Sequence, residues 1–439
     1  MTGKYIRRIV LSIIIWVFPF VSMAQLCTGS FGDPVVNITF GDGITPDFNF
    51  TPPSAYTFTN AACPNDGFYT IRNNSSGCFS GSWHTVSSDH TGGGAFMLIN
   101  ASYTPGDFFL ATVSGLCPNT TYEFAAWVMN VLRTTTGIQP DLTFTVENTS
   151  GAVLNQFFTG GIVSTPNPQW NQYGFNFTTG ATGTAIILRI TNNAPGGIGN
   201  DLALDDITFR PCGPQITSVI QGNNPRIDHC VNDQVAYTFD GTVSTGYISP
   251  VYQWQLSTDS GKIWNDISGA TSASYVRQPT VIGNFWYRLS VAETGNVGIP
   301  GCRISSNVLI INVHPKPGVS AGPDRILIKG NTTTLLGKVT GESPVYNWWP
   351  PDDLNDVTKL QPLANPGSDM QYHLSAISLF GCTNEDFMLV KVVAGIFVPT
   401  AFTPNNDGKN DSWRIPYLDP ELGATVRVFN RWGQIVYTT

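Results

Sequence analysis

Charge, histidine and catalytic signatures are what this sequence has least of. Asp, Glu, Lys and Arg make up 12% of the 439 residues, about half the ~25% typical of soluble domains. Beyond the extreme N-terminus Lys and Arg never cluster, and the formal net charge is −8. A surface that tracks phosphates is therefore missing, which excludes nucleic acid as a partner. No Cys-x-x-Cys pair occurs, so zinc ribbons and dithiol redox motifs have no support. Paired carboxylates in a catalytic setting, a Ser-His-Asp order, His-Glu-x-x-His and Cys-His pairs are all lacking. Gly92-Gly93-Gly94 precedes a strand pattern and opens no helix, so it does not cradle a phosphate. Only five His are present. Two of them, in Trp83-His84 and Asp89-His90, form a polar cluster in which either imidazole could ligate a metal or act as a base. The same residues also suit turn and edge-strand caps. The expectation is a protein that does not catalyse.

What the sequence does have is 44 Gly, 30 Pro and abundant Asn and Thr, a mixture that disfavours long helices and supplies turns and strands. At roughly 100–200 residues per domain, three or four separate cores are expected. Residues 1–24 read as a secretory leader: Lys4, Arg7 and Arg8 precede the apolar run Ile9–Val21, which closes with Ser22-Met23-Ala24, and cleavage is expected before Gln25. The run is shorter than the ~20 residues of a spanning helix, and Cys27 is not placed for lipidation. Membrane contact is thus expected only through export or surface attachment. Export makes the eight Cys disulfide candidates.

Residues 25–213 form a long series of short apolar or alternating runs between Gly/Pro/Asn turns, such as Thr143–Glu147, Gly174–Thr178 and Ala185–Ile190. This is a β-sandwich pattern. Arg210-Pro211-Cys212-Gly213-Pro214 ends it like a linker. Residues 214–314 hold strands at Val251–Leu256 and Phe285–Val291, with Trp254 between Cys230 and Cys302. His314-Pro315-Lys316-Pro317 then reads as a stiff connection. Residues 318–394 carry strands around Ile326–Ile328, Thr333–Leu336, Val345–Trp349, Gln371–Ile377 and Phe387–Val393, and 395–439 begin a new unit. The predicted fold class is all-β: tandem β-sandwiches, a jelly roll followed by two immunoglobulin-like units and a partial β unit.

Several of these words resemble known families. VPTAFTPNNDGKNDSWRI at 398–415 and VRVFNRWGQIVY at 426–437 closely resemble the gliding-motility-associated C-terminal domain of Bacteroidetes, the type B sorting signal of the type IX secretion system. That resemblance implies handling by the type IX secretion machinery and release or attachment at the outer cell surface. Family members continue for roughly as many residues again, so the unit is expected to be truncated here. SDHTGGGAFMLINAS at 88–102, CPNTTYEFAAWV at 117–128 and DLALDDITFRPCG at 201–213 are similar in order and spacing to the signatures of MAM domains, adhesive jelly rolls, and to calcium-stabilised carbohydrate-binding jelly rolls. Residues 252–275 look like a bacterial immunoglobulin-like repeat, and AGPD at 321–324 with VYNWWPPDDL at 345–354 resembles PKD-like or immunoglobulin-like modules.

The MAM resemblance implies a Cys117–Cys212 bridge. The immunoglobulin resemblance implies a Cys230–Cys302 bridge, either between sheets or between edge strands. Cys63–Cys78 would close a short loop, which leaves Cys27 and Cys382 without evident partners. For Trp348 and Trp349, alternation on a strand predicts one in the core and the other under a loop. Asp205-Asp206 opens the last jelly-roll strand, and an inward carboxylate there needs donors or a cation. Backbone donors are one solution; a structural Ca²⁺ held by Asp206 with Asp42 or Asp33 is the other. Asn405, Asp407 and Asp411 around Gly408 form half of a calcium loop, or an Asx-rich turn bonded to its own backbone. Trp83 and Trp127 are the candidate sugar-stacking aromatics. The chain is read as an adhesion protein whose jelly roll meets a glycan or protein, with a structural surface-layer or matrix component as the alternative. A third option is an accessory part of a polysaccharide-degrading enzyme.

Overall fold

The computed structural model describes residues 26–42, 46–48, 50, 55–182, 185–416 and 425–438; the leader expected over 1–24 lies outside them. Apart from two 3₁₀ turns, the regular structure of the described residues is all strand. In the first unit, an eight-stranded sheet runs in the order Asn171–Thr178, Thr121–Asn130, Asp201–Gly213, Phe96–Asn100, Phe68–Arg72, Thr57–Phe58, with Ser30–Phe31 and Val36–Ile38 paired to the later part of Asp201–Gly213. It packs on a four-stranded sheet of Gly106–Val113, Ile186–Asn192, Asp141–Asn148 and Val153–Gly161. Alternation sends Phe124, Ala126 and Val128 of one strand into the gap, where they meet Phe144, Leu188 and Phe209. Truncating one of these buried Phe residues to Ala would cost ~3–5 kcal/mol.

The large sheet also buries part of its outer face. Trp83, Val86 and Cys78 lie over Phe96, Leu98, Met129 and Ala203, and the Cys63–Cys78 disulfide pins this cover. All but the last residue of the expected linker at 210–214 is instead the end of the 13-residue strand Asp201–Gly213, where Pro211 pairs with Tyr122 and Cys212 with Phe31.

The second unit is a sandwich of a three-stranded sheet and a six-stranded sheet around Trp254, Phe239, Tyr287 and Leu309. Trp254 donates its indole N–H to the Ser272 carbonyl at 3.0 Å. The third unit distributes its strands over one four-stranded and two two-stranded sheets. Its core is Trp348, Tyr372, Leu374, Met388 and Val390. Trp348 takes the core position, but Trp349 is not under a loop: it is 63% exposed. Among the described residues of 394–438 none is buried, and the hairpin Arg427–Phe429 with Ile435–Thr438 is the regular element there.

Two expected bridges are corrected. Cys117 lies beyond the start of Thr121–Asn130 and faces the turn Pro300–Cys302 of the second unit, so it bonds Cys302 and not Cys212. Cys212 bonds Cys27 of the N-terminal segment. Cys230 ends the strand Arg226–Cys230 beside His314, at the opposite end of the second unit from Cys302, so those two cannot meet. Cys230 instead bonds Cys382 of the third unit. Both unit junctions are therefore covalent.

Polar contacts reinforce each junction. At the first, the Arg288 guanidinium donates to both Asp33 oxygens at 2.8 and 2.6 Å and to Gln255 at 2.8 Å, and lies 4.3 Å over the Trp264 ring. Asn296 donates to the Pro118 carbonyl at 3.1 Å. A Cβ on Gly32 would collide with the Arg303 carbonyl, so the close approach of the two units requires glycine there. At the second junction Lys316 pairs with Asp233 at 2.7 Å, and His314 stacks on Phe380 at 3.6 Å.

Non-reducing peptide mapping of the mature protein is expected to yield Cys117–Cys302 and Cys230–Cys382 crosslinks; recovery of Cys117–Cys212 would contradict the arrangement. Asp33→Ala leaves Arg288, whose side chain is only 9% exposed, without its carboxylate. Because Asp33 itself is half in water, the expected loss is about 1–2 kcal/mol, read as a shift in the denaturation midpoint.

Candidate functional site

Register brings the polar candidates of the jelly roll together. Asp205 pairs with Trp127, and Trp127 pairs with Gln172, so the three stand side by side on the outer face of the large sheet, next to its covered part. Immediately after Asp205 the ladder slips between Asp205 and Thr208, and Asp206 adopts a positive φ of 45°. This bulge re-aims Asp206 away from the regular alternation.

The loop at 88–95 closes over the same spot. Its own Asp89 accepts from the Gly92 N–H at 2.7 Å and from the Thr91 hydroxyl, a local turn bonded to its own backbone. Burial disfavours the Asp89 carboxylate, but the Thr91 hydroxyl and the Gly94 and Gly92 N–H groups outweigh it and hold its pKa below the ordinary value. A Cβ on Gly94 would sit 2.8 Å from Asp89 Oδ2 and 2.9 Å from the Gly41 carbonyl oxygen, so the turn needs glycine at this point. The result is that His90 stacks on Trp127, with ring centroids 3.7 Å apart and planes 17° from parallel.

His90 Nδ1 lies 2.7 Å from Asp206 Oδ2. Asp205 is fully buried; its two oxygens accept from the backbone N–H groups of His90 (3.0 Å) and Asp206 (2.8 Å). Burial first, and the Asp206 carboxylate second, push the Asp205 pKa up to about 8. One ligand atom from each of His90, Asp205 and Asp206 falls within 4.8 Å of the others, a spacing that could hold a metal ion. The set is one imidazole and two carboxylates, however, whereas Ca²⁺ takes six to eight oxygens. With both Asp205 oxygens engaged by backbone donors, the residues fit a hydrogen-bonded brace better than a calcium cage.

The other candidates fall elsewhere. Asp33 is the partner of Arg288 at the unit junction, so it is not a ligand beside Asp206. Asp42 follows Gly41, whose carbonyl accepts from the Ala95 N–H at the end of the 88–95 loop. Trp83 is 3% exposed and donates its indole N–H to Asp201 at 3.0 Å, so it cannot present a face to a sugar. Burial pushes the Asp201 pKa up to about 7 despite that bond. His84 is buried and bonded at 2.9 Å to the Thr165 carbonyl, apart from His90. In the C-terminal loop, Asp411 accepts from the Asn406 and Gly408 N–H groups at 2.6 and 2.7 Å, while Asp407 accepts from Lys409 N–H at 2.8 Å and from the Asn405 amide at 2.9 Å. Those carboxylates are turned onto the loop's own donors, the Asx-turn arrangement. The pairing of His90 with Asp206, across 116 positions, is the element that sequence reasoning missed; its signals are the adjacent Asp-His and Asp-Asp pairs.

Both raised acids give stability a definite pH dependence. Each binds its proton in the folded chain and not in the unfolded one between the ordinary value of 3.8 and its raised value, about 7 for Asp201 and about 8 for Asp205. Their contribution to stability is therefore fully present below that window and declines as pH rises through it. Denaturation midpoints should fall from pH 4 to pH 8, and Asp205→Asn should remove the final part of the decline, between pH 7 and 8; an unchanged profile in that variant would refute the assignment.

No curated protein matches the chain. Among solved structures, the xylan-binding CBM22-1 domain of Paenibacillus barcinonensis Xyn10C is similar at 13% identity over 42% of this chain and 97% of that one, with a TM-score of 0.23. The insect immune protein hemolin is similar at 11% identity over 78% and 99%, TM-score 0.25. The fibronectin(III)-like modules of Clostridium thermocellum CbhA are similar at 11% over 40% and 94%, TM-score 0.22. At such scores nothing about function follows from these likenesses. Residues 229–315, nearly the whole second unit, match a domain of unknown function, DUF8696. Residues 396–439 match the CHU_C type IX secretion signal domain, so the chain carries at its C-terminal end a signal that implies handling by the type IX secretion machinery and export from the cell.

Proposed function

We propose that this chain is a non-catalytic, surface-exposed adhesion protein whose MAM-like jelly roll binds glycan at the His90–Trp127–Asp206 site. One observation supports the reading above the others: a half-buried imidazole–indole stack is held rigidly at the edge of the covered part of the sheet, with a carboxylate beside it. Stacked rings with adjoining polar atoms match the apolar ring faces and hydroxyl rims of sugars. His84 is bonded to a backbone carbonyl, and His90 is fixed by its Nδ1 contact with Asp206 and by its stack on Trp127, an arrangement that suits a preorganised binding platform. Clamped junctions then project the jelly roll as part of one stiff arm.

The test is a glycan array with the full mature protein, because an isolated jelly roll would leave Cys117 unpaired. Binding should weaken at least about tenfold in Trp127→Ala and in His90→Ala, the loss expected for a central aromatic contact. Retention of binding in both variants would move the site elsewhere. In this reading Asp205 and Asp206 brace the loop without a cation, so Ca²⁺ and chelator should leave the melting temperature unchanged; a rise with Ca²⁺ would assign an ion to the cluster.

A matrix component is the second reading, and one observation favours it. Val153–Gly161 is an uncharged nine-residue edge strand with Val153, Leu154 and Phe158 exposed, the kind of edge that pairs with another chain. Concentration-dependent assembly abolished by Leu154→Lys, without glycan binding, would favour that reading.

A further inference from the structure

The third unit carries an aromatic row that the jelly-roll reading does not use. Its four-stranded sheet places Val345–Trp349, Met370–Ile377 and Thr383–Val393 side by side. Trp349 pairs with His373, and His373 pairs with Phe387. Directly opposed residues on neighbouring strands share a face, so these three side chains form one transverse rank. Their neighbours Trp348, Leu374 and Met388 point the other way and are fully buried, which fixes the rank on the outer face.

The rank is open to water. Trp349 is 63% and Phe387 60% exposed, and His373 bridges them at ring-centroid separations of 6.0 and 5.9 Å. The next rank, Asn347–Ser375–Glu385, is polar and exposed. On the other side Gln371 pairs with Leu389. Core packing does not require a Trp or a Phe at these positions, and large exposed aromatics are disfavoured unless something covers them.

We propose that this face is a second binding site, separate from the jelly roll, for an extended uncharged polysaccharide. Two features select that occupant. The two ranks carry a single formal charge, Glu385, in a chain of net charge −8, so the surface complements a neutral ligand better than a charged one. The ranks also alternate in chemistry: an aromatic strip for the apolar C–H faces of pyranose rings lies beside amide, hydroxyl and carboxylate groups able to bond their hydroxyls. A rank this exposed suits a long chain or a polysaccharide surface, and not an enclosed small molecule.

The experiment is affinity electrophoresis of the full mature protein through gels containing hydroxyethylcellulose or soluble xylan, with depletion by insoluble cellulose. Retardation by at least one of these is expected. It should weaken at least tenfold in Trp349→Ala/Phe387→Ala, survive in Trp349→Phe, and persist in Trp127→Ala, which separates this site from the jelly-roll site. Acrylamide quenching of tryptophan emission in the unsubstituted protein should fall when the bound polysaccharide is added, a readout that does not depend on any variant folding. Absence of retardation with all three probes overturns the proposal, as does undiminished binding in the double variant. A dimer seen by light scattering and dissolved by the same double substitution would assign the face to a second copy instead, and also overturns it.

Discussion

Covalent closure of the unit junctions is the constraint on which the rest of the molecule depends. Neighbouring domains joined by a short peptide normally move against each other unless a large apolar interface stops them. Here Cys117–Cys302 and Cys230–Cys382 span 185 and 152 residues and cross the first and second junctions in turn. In the chain-entropy picture, loops of that size are worth roughly 5 kcal/mol each. The disulfides also concentrate otherwise modest contacts. Arg288 with Asp33, and Lys316 with Asp233, are pairs whose exposed partners would contribute little between freely moving domains. Held in place, they set the orientation. Such a design needs an oxidising compartment, in keeping with the type IX secretion signal at 396–439.

The same logic of holding groups in place operates inside the jelly roll. Asp205 is buried at a cost that only specific donors offset, and the backbone N–H groups of His90 and Asp206 provide them. That arrangement ties the 88–95 loop to the last strand, and the tie in turn parks His90 on Trp127. A structural group and the proposed binding surface are thus one construction. Removing the acid would release the imidazole as well as relieve the burial.

Outward faces are where the units differ in character. The jelly roll covers part of its outer sheet with the Cys63–Cys78 loop and carries the half-buried His90–Trp127 stack beside that cover. The third unit leaves an aromatic rank uncovered on the outer face of its four-stranded sheet. Its Trp348 and Trp349 show how little separates the two fates: adjacent residues on one strand, one fully enclosed and one in water.

Short-range chemistry was legible from the residues alone. Gly, Pro and Asn turns between alternating runs dictated an all-β chain, and strands such as Val345–Trp349 and Val251–Leu256 fall where alternation put them, because side-chain period and turn propensity are local properties. The sorting words at 398–415 and 426–437 were legible for the same reason, being contiguous. What the tertiary structure decided were the long-range partnerships. Cys117 had seven other cysteines in the sequence and found Cys302 only because two units abut. Trp83 looked like a surface aromatic until the cover loop folded it against Phe96 and Leu98. Asp33 became the partner of a residue 255 positions away, and His90 of one 116 away. Sequence spacing carries no information on such pairs, since they depend on which sheets pack and at what angle, and that is settled by the summed burial of whole faces and not by any one residue.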